Sequence, residues 1–169
     1  MLGSIAEAED GSLTIFVGGP DDLVERWTPL LSVLGRPLHV GERGAGAAAK
    51  LVANSTLFGA LGVLGEALAL AQGLGLSREA AFEVLAATPI GVQAERRRDA
   101  IESGEYPPRF SLRLARKDAD LVGEAAAAAG VDLRLAAAAR SWLEDAAEAG
   151  LDDQDYSAAL TRMLHGTGH

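Results

Sequence analysis

From Ala45 to Gly73 the chain offers one continuous helix-forming stretch, unbroken by proline, in which Lys50 and Glu66 carry the only charges. A segment of that length and composition must be buried around most of its circumference or cross a membrane. Glu66, Gln72 and the glycines between Leu57 and Leu74 favour a buried helix at the head of a helical domain. Gly59, Gly62 and Gly65 recur at spacing three, and each costs about 1 kcal/mol against alanine in a helix interior. Close approach of another helix to this small-residue face is the expected compensation.

The remainder of the chain beyond Gly73 also reads as helix. Ser77 suits an N-cap, with Glu79 in the first turn of a helix to Ala87. Thr88-Pro89-Ile90-Gly91 punctuates the pattern. Further helices are predicted over about 92–103, 112–129, 133–149 with Asp132 as the cap, and 156–164, and residues 166–169 form a flexible tail. Only 5% of the residues are aromatic against 49% apolar, so the core is built from Ala, Leu and Val, which suits closely packed helices.

Residues 1–41 differ in kind. Leu13-Thr14-Ile15-Phe16-Val17 is a β-prone run ending at Gly18-Gly19. Pro20-Asp21-Asp22 opens a helix to about Leu34, with proline at the first helical position and acids complementing the dipole. Gly35 closes that helix, and Pro37-Leu38-His39-Val40 reads as a second strand. A strand pair with one helix leaves apolar sheet faces uncovered, so this piece is the edge of a larger α/β sheet.

Several function classes are excluded. With a net charge of −9 and no basic stripe, nucleic acid is not an expected partner. The chain has no cysteine, which removes disulfides, thiolate nucleophiles and cysteine metal sites. His39, His165 and His169 are scattered, so no metal site is expected. No basic and apolar leader is visible, and a cytoplasmic protein without a membrane span is the expectation. Arg96-Arg97-Arg98, between Glu95 and Asp99, reads as a solvated helix face. Trp27 and Trp142 read as core or interface anchors.

Lys50 and Asn54 are four residues apart and share one face near the start of the long helix. An amine beside an amide can hold a hydroxyl or oxyanion, the lysine exchanging the proton and the asparagine orienting the oxygen. Ala47, Ala48, Ala49, Leu51 and Val52 surround the lysine, an apolar setting that lowers an amine's pKa by desolvation.

These residues carry a resemblance. The run 13–19, then Leu38-His39-Val40-Gly41, then Gly44-Ala45-Gly46 with Lys50 and Asn54, resembles the β-hydroxyacid dehydrogenases, including 3-hydroxyisobutyrate dehydrogenase and, more distantly, 6-phosphogluconate dehydrogenase. Gly75-Leu76-Ser77, Thr88-Pro89, Phe110 with Lys117-Asp118, and Asp155-Tyr156-Ser157-Ala158 continue it. The resemblance implies a mostly α fold: a 6-phosphogluconate-dehydrogenase C-terminal-like helical domain over 42–165, preceded at 1–41 by a strand-helix-strand remnant of a Rossmann sheet. It implies an NAD(P)-dependent oxidoreductase acting on a small hydroxyacid or semialdehyde, and a homodimer through the helical domain. Lys50 matches the family's catalytic lysine and Asn54 its substrate-binding asparagine. Phe110 and Lys117 match cofactor-side residues, and Asp118 a carboxylate bonded within its own domain. Gly3 and Ser4 match part of the loop that takes the substrate carboxylate, although Leu2 stands where serine is usual. The family's Gly-x-Gly-x-x-Gly turn and its NAD- or NADP-selecting residue belong upstream of Met1. The chain therefore reads as truncated, and by itself is expected to bind no NAD or NADP and to be weak or inactive, with a helical dimerisation module as the alternative.

Overall fold

The computed structural model describes residues 1–165; the tail expected at 166–169 lies outside the described residues. Two compact units divide the chain, one from Met1 to Asn54 and one beginning at Ser55. The boundary falls inside the long helix.

In the first unit α1 (Ile5–Glu9) precedes β1 (Leu13–Val17), α2 (Asp21–Leu31) and β2 (Gly35–His39), and α3 (Ala45–Gly73) begins there. β1 and β2 pair in parallel, Leu13 opposite Gly35 and Val17 opposite His39, and α2 is the crossover that a parallel pair requires. Asp21 and Asp22 fill the first turn of α2, as read from the sequence, with Pro20 one position earlier as the N-cap. Gly35 opens β2 and does not close the helix, which ends at Leu31.

The sequence reading placed no element at Ile5–Glu9. The Ser-x-x-Glu pattern over Ser4–Glu7 is nevertheless a helix-start signal: the Ser4 N–H and hydroxyl donate to the Glu7 carboxylate at 2.7 and 2.6 Å. The helix is only one turn long, because Gly11 ends the helical run ahead of β1.

The start of α3 lies against the end of β1, and two glycines permit it. A Cβ on Gly18 would sit 2.6 Å from the Glu42 carbonyl and 2.8 Å from the Gly46 N–H nitrogen, and one on Gly46 would sit 2.7 Å from the Phe16 carbonyl. His39 ties the same corner. Its Nε2 donates to the carbonyls of Gly19 (2.9 Å) and Gly41 (3.0 Å), and Nδ1 lies 3.3 Å from Asp21.

The second unit holds the rest of α3, then α4 (Arg78–Ala86), α5 (Gly91–Ser103), α6 (Leu112–Ala129), α7 (Arg134–Glu148), a 3-10 turn at Tyr156–Ala158 and α8 (Ala159–His165). Phe58, Leu61, Leu64 and Leu68 form the buried face of α3, joined by Phe82, Leu85, Ile101, Leu112, Leu143 and Leu160. Ala115, Ala146, Ala158 and Ala159 are fully buried, so helices approach at alanine, as the alanine-rich composition implies. By length and hydropathy α3 could also cross a membrane; its Phe58–Leu68 face is instead the centre of this core. Asp132 does not cap α7: Leu133 takes the N-cap position, and Asp132 pairs with Arg134 at 2.9 Å.

The three glycines of α3 differ in what they meet. A methyl on Gly65 would run into the Met163 thioether and touch Leu160, one on Gly62 would make ordinary contact with Ala139, and one on Gly59 would meet nothing within 4 Å. Close helix approach therefore accounts for Gly65 and not for Gly59. Urea unfolding followed by far-ultraviolet circular dichroism should show Gly59→Ala gaining up to ~1 kcal/mol. Gly65→Ala should lose about 1–3 kcal/mol to overpacking. Equal shifts in the two variants would refute this difference in packing.

Candidate active site

Helical geometry brings Lys50 and Asn54 to one face in the second and third turns of α3. Lys50 is half-buried, and Asn54 is 1% exposed. The Met1 α-amine has its pKa lowered, first by burial and then by the charge of Lys50. Lys50 and the first residue of the N-terminal segment therefore lie within electrostatic reach of each other. Gly3 and Ser4 follow two and three residues later. At Gly3 a Cβ would collide with the Leu13 side chain at 2.6 Å, so the glycine is required for close packing on β1. The N–H and hydroxyl of Ser4 converge on a single carboxylate, that of Glu7. The pair has the geometry to hold a carboxylate and is engaged internally.

Phe110 and Lys117 belong to the second unit. Phe110 is half-buried and packs edge-on against Tyr156, with ring centroids 5.6 Å apart at 61°. The Lys117 side chain, on α6, is 61% exposed, and its ammonium lies 2.8 Å from the Asp118 carboxylate. Asp118 thus serves its own helix.

Asp155 organises the loop that carries Phe110, a role the sequence reading did not assign. Its Oδ2 accepts the N–H groups of Arg109 (3.2 Å) and Phe110 (3.0 Å), and its Oδ1 accepts the Ser157 N–H (3.1 Å) and hydroxyl (2.6 Å). Main-chain bonds from Asp155 to Tyr106, Tyr156 to Phe110 and Leu112 to Gln154 zip the same two strips together. A carboxylate accepting several N–H groups is the strong form of the hydrogen bond.

The Arg96-Arg97-Arg98 face is not solvated throughout, a correction to the sequence reading. Arg97 is buried, donates to Gln93 Oε1 at 2.8 Å and to the Tyr156 hydroxyl, and its guanidinium lies 5.4 Å from the centre of the Tyr156 ring. The spacing Ala94, Arg97, Ile101, all buried, is the signal that marks its inward face. Arg98 stacks over Phe82 and pairs with Glu102. Trp142 is partly buried against the core and donates to Glu66 at 3.0 Å, whereas Trp27 is exposed. Among the described residues no cluster of His, Asp and Glu has the makings of a metal site.

Known proteins place this geometry. Residues 44–163 match the family described as the NAD-binding domain of NADP-dependent 3-hydroxyisobutyrate dehydrogenase. The chain belongs to that family. Among its relatives, 2-(hydroxymethyl)glutarate dehydrogenase of Eubacterium barkeri is 35% identical over 98% of this chain and 56% of its own length. Glyoxylate/succinic semialdehyde reductase 1 of Arabidopsis thaliana is 32% identical over 94% and 55%. The structure of Mycobacterium tuberculosis 3-hydroxyisobutyrate dehydrogenase with L-serine superposes with a TM-score of 0.85 at 28% identity, over 96% of this chain and 58% of that one. The chain thus spans a little over half the length of these relatives. The family is one of NAD(P)-dependent hydroxyacid dehydrogenases and reductases, and the mostly helical fold expected from the resemblance is the one found.

Two outcomes follow from the Asp155 and Tyr156 geometry. Asp155→Ala strands three N–H groups and a hydroxyl, and should lower stability by about 2–4 kcal/mol in urea; a loss below ~1 kcal/mol would show that the main-chain zipper holds the loop unaided. Burial raises the Tyr156 phenol above its ordinary 10.0, against the opposing pull of Arg97, and burial raises Tyr106 likewise. A raised folded pKa leaves this stabilisation intact below the unfolded value of about 10 and removes it as pH climbs through the folded one. Ultraviolet titration should therefore show tyrosinate absorbance rising above pH 10, together with loss of near-ultraviolet dichroism. Two tyrosines titrating at their ordinary value in a folded chain would contradict it.

Proposed function

We propose that the chain is the helical, catalytic-lysine part of a dehydrogenase that interconverts a small β-hydroxyacid and its oxo form. What carries the reading is the placement of Lys50 and Asn54 on one face of α3, inside the segment that matches the family. In the oxidation direction the neutral Lys50 amine takes the proton of the substrate hydroxyl and becomes an ammonium ion, and in reduction it returns that proton. Asn54 orients the oxygen by hydrogen bonding. The Ser4 hydroxyl and the Gly3–Ser4 backbone take the substrate carboxylate in place of Glu7. The nicotinamide cofactor, when bound, accepts or supplies the hydride at the carbinol carbon.

The residues present fit such a cofactor only at its margin. Phe110 offers a half-buried ring and Lys117 an exposed ammonium that can meet a phosphate or carboxamide. No Gly-x-Gly-x-x-Gly turn stands in the sequence to cradle a pyrophosphate. We therefore infer that the isolated chain binds neither NADH nor NADPH with micromolar affinity. A second reading, a helical homodimerisation module, is favoured by Val63 and Leu70, which stand exposed seven residues apart along α3.

The test is to supply the chain with the nucleotide-binding portion of the Mycobacterium tuberculosis relative and follow nicotinamide absorbance with 3-hydroxyisobutyrate and related hydroxyacids. Turnover should appear in the mixture and fall ~10²–10⁴-fold in Lys50→Ala. A dimer by sedimentation with no rescued turnover would favour the module. Micromolar NADH binding to the chain alone, by calorimetry, would sink the inference about the cofactor.

A further inference from the structure

The first unit keeps little of its apolar surface inside. Leu13, Ile15 and Val24 are buried, while Leu23, Trp27, Leu30 and Leu34 are 46–58% exposed. Those four follow spacings of four, three and four, so Leu23, Trp27 and Leu30 lie along one stripe of α2 and Leu34 continues it into the turn beyond. Val24, one residue from Leu23, is the α2 residue buried within the unit. The helix thus carries two apolar faces, and the β1–β2 pair uses one.

We propose that the Leu23–Trp27–Leu30–Leu34 stripe is the docking face for a further α/β portion of this protein, specifically for a crossover helix flanking the next strand. The proposal rests on the dehydrogenase reading above and adds the surface by which the two portions join. Three observations select this occupant. The relatives are nearly twice as long as the chain, which covers 56% and 58% of two of them. A parallel pair is stable only as part of a larger sheet covered by helices, and here the sheet has two strands. On the β1 edge away from β2, pairing consists of the single antiparallel bridge between Leu2 and Thr14. A strand added beyond β1 brings its own right-handed crossover helix to the face that α2 occupies. Helices in one layer pack about 8–10 Å apart, which sets the new helix against the flank of α2 where Trp27 stands.

Trp27 reports on the contact directly. In a Trp142→Phe background it is the sole tryptophan, and its emission and acrylamide quenching can be followed in the full chain. The partner is the nucleotide-binding portion of the Mycobacterium tuberculosis relative, titrated in while association is measured by sedimentation. Association should shift Trp27 emission to the blue and shield it from quencher. Leu30→Glu should weaken association about tenfold or more by forcing a charge into an apolar contact, and Leu34→Lys should do the same from outside the helix. Far-ultraviolet dichroism verifies that both exposed-site variants stay folded. Association with unchanged Trp27 emission and no effect of either variant would overturn the docking face, while Lys50-dependent turnover in that mixture would leave the dehydrogenase reading standing. A blue shift that grows with chain concentration in the absence of partner would give the stripe to a second copy and overturn the proposal. No association and no turnover would remove both.

Discussion

The buried face of α3, from Phe58 to Leu68, is the constraint around which the second unit is arranged. Four large side chains on one helix need neighbours on several sides, and the chain answers with helices whose inner positions are alanine. Ala115, Ala146 and Ala159 are fully buried, so backbones close on α3 without large side chains between them. Interiors pack at crystal-like density, and a core of small residues achieves this by bringing axes together. The same rule explains why Gly65 is needed beside Met163 and Leu160 while Gly59 is not.

At the other end of α3 the constraint is steric in a different way. Gly18 and Gly46 let the helix begin in contact with the end of β1, where any Cβ would meet backbone atoms. That contact fixes where Lys50 and Asn54 stand in the first unit, one and two turns beyond Gly46. Its rigidity is reinforced by His39, which ties the carbonyls of Gly19 and Gly41. The placement of the lysine thus depends on backbone proximity more than on the chemistry of its immediate neighbours.

Polar groups inside the second unit follow a separate logic. Asp155 accepts four hydrogen bonds and joins the loop before α6 to the turn before α8. Arg97 reaches the Tyr156 hydroxyl from α5. Buried polar groups specify an arrangement when they are satisfied, and these hold Phe110 against the Tyr156 ring. Neither role shows in local sequence. The partners of Asp155 lie 45 and 46 residues away and that of Arg97 lies 59 away, distances that periodicity cannot bridge.

What could be read without coordinates was whatever depends on neighbours along the chain. The bounds of α3 and α6, the strand at 13–17, the cap at Ser77 and the pairing of Lys50 with Asn54 on one face all follow from helix or strand periodicity and capping chemistry. The one-turn helix at Ile5–Glu9, the opening of β2 at Gly35 and the true cap of α7 escaped that reading. At such short elements and ends, tertiary contacts outweigh weak local preferences. The sequence by itself therefore determined the helical class, the lineage and the nomination of Lys50 with Asn54. Only the tertiary structure decided which arginine turns inward, which glycine is under steric pressure and which carboxylate holds the loop, because each is set by groups that meet across folded distance.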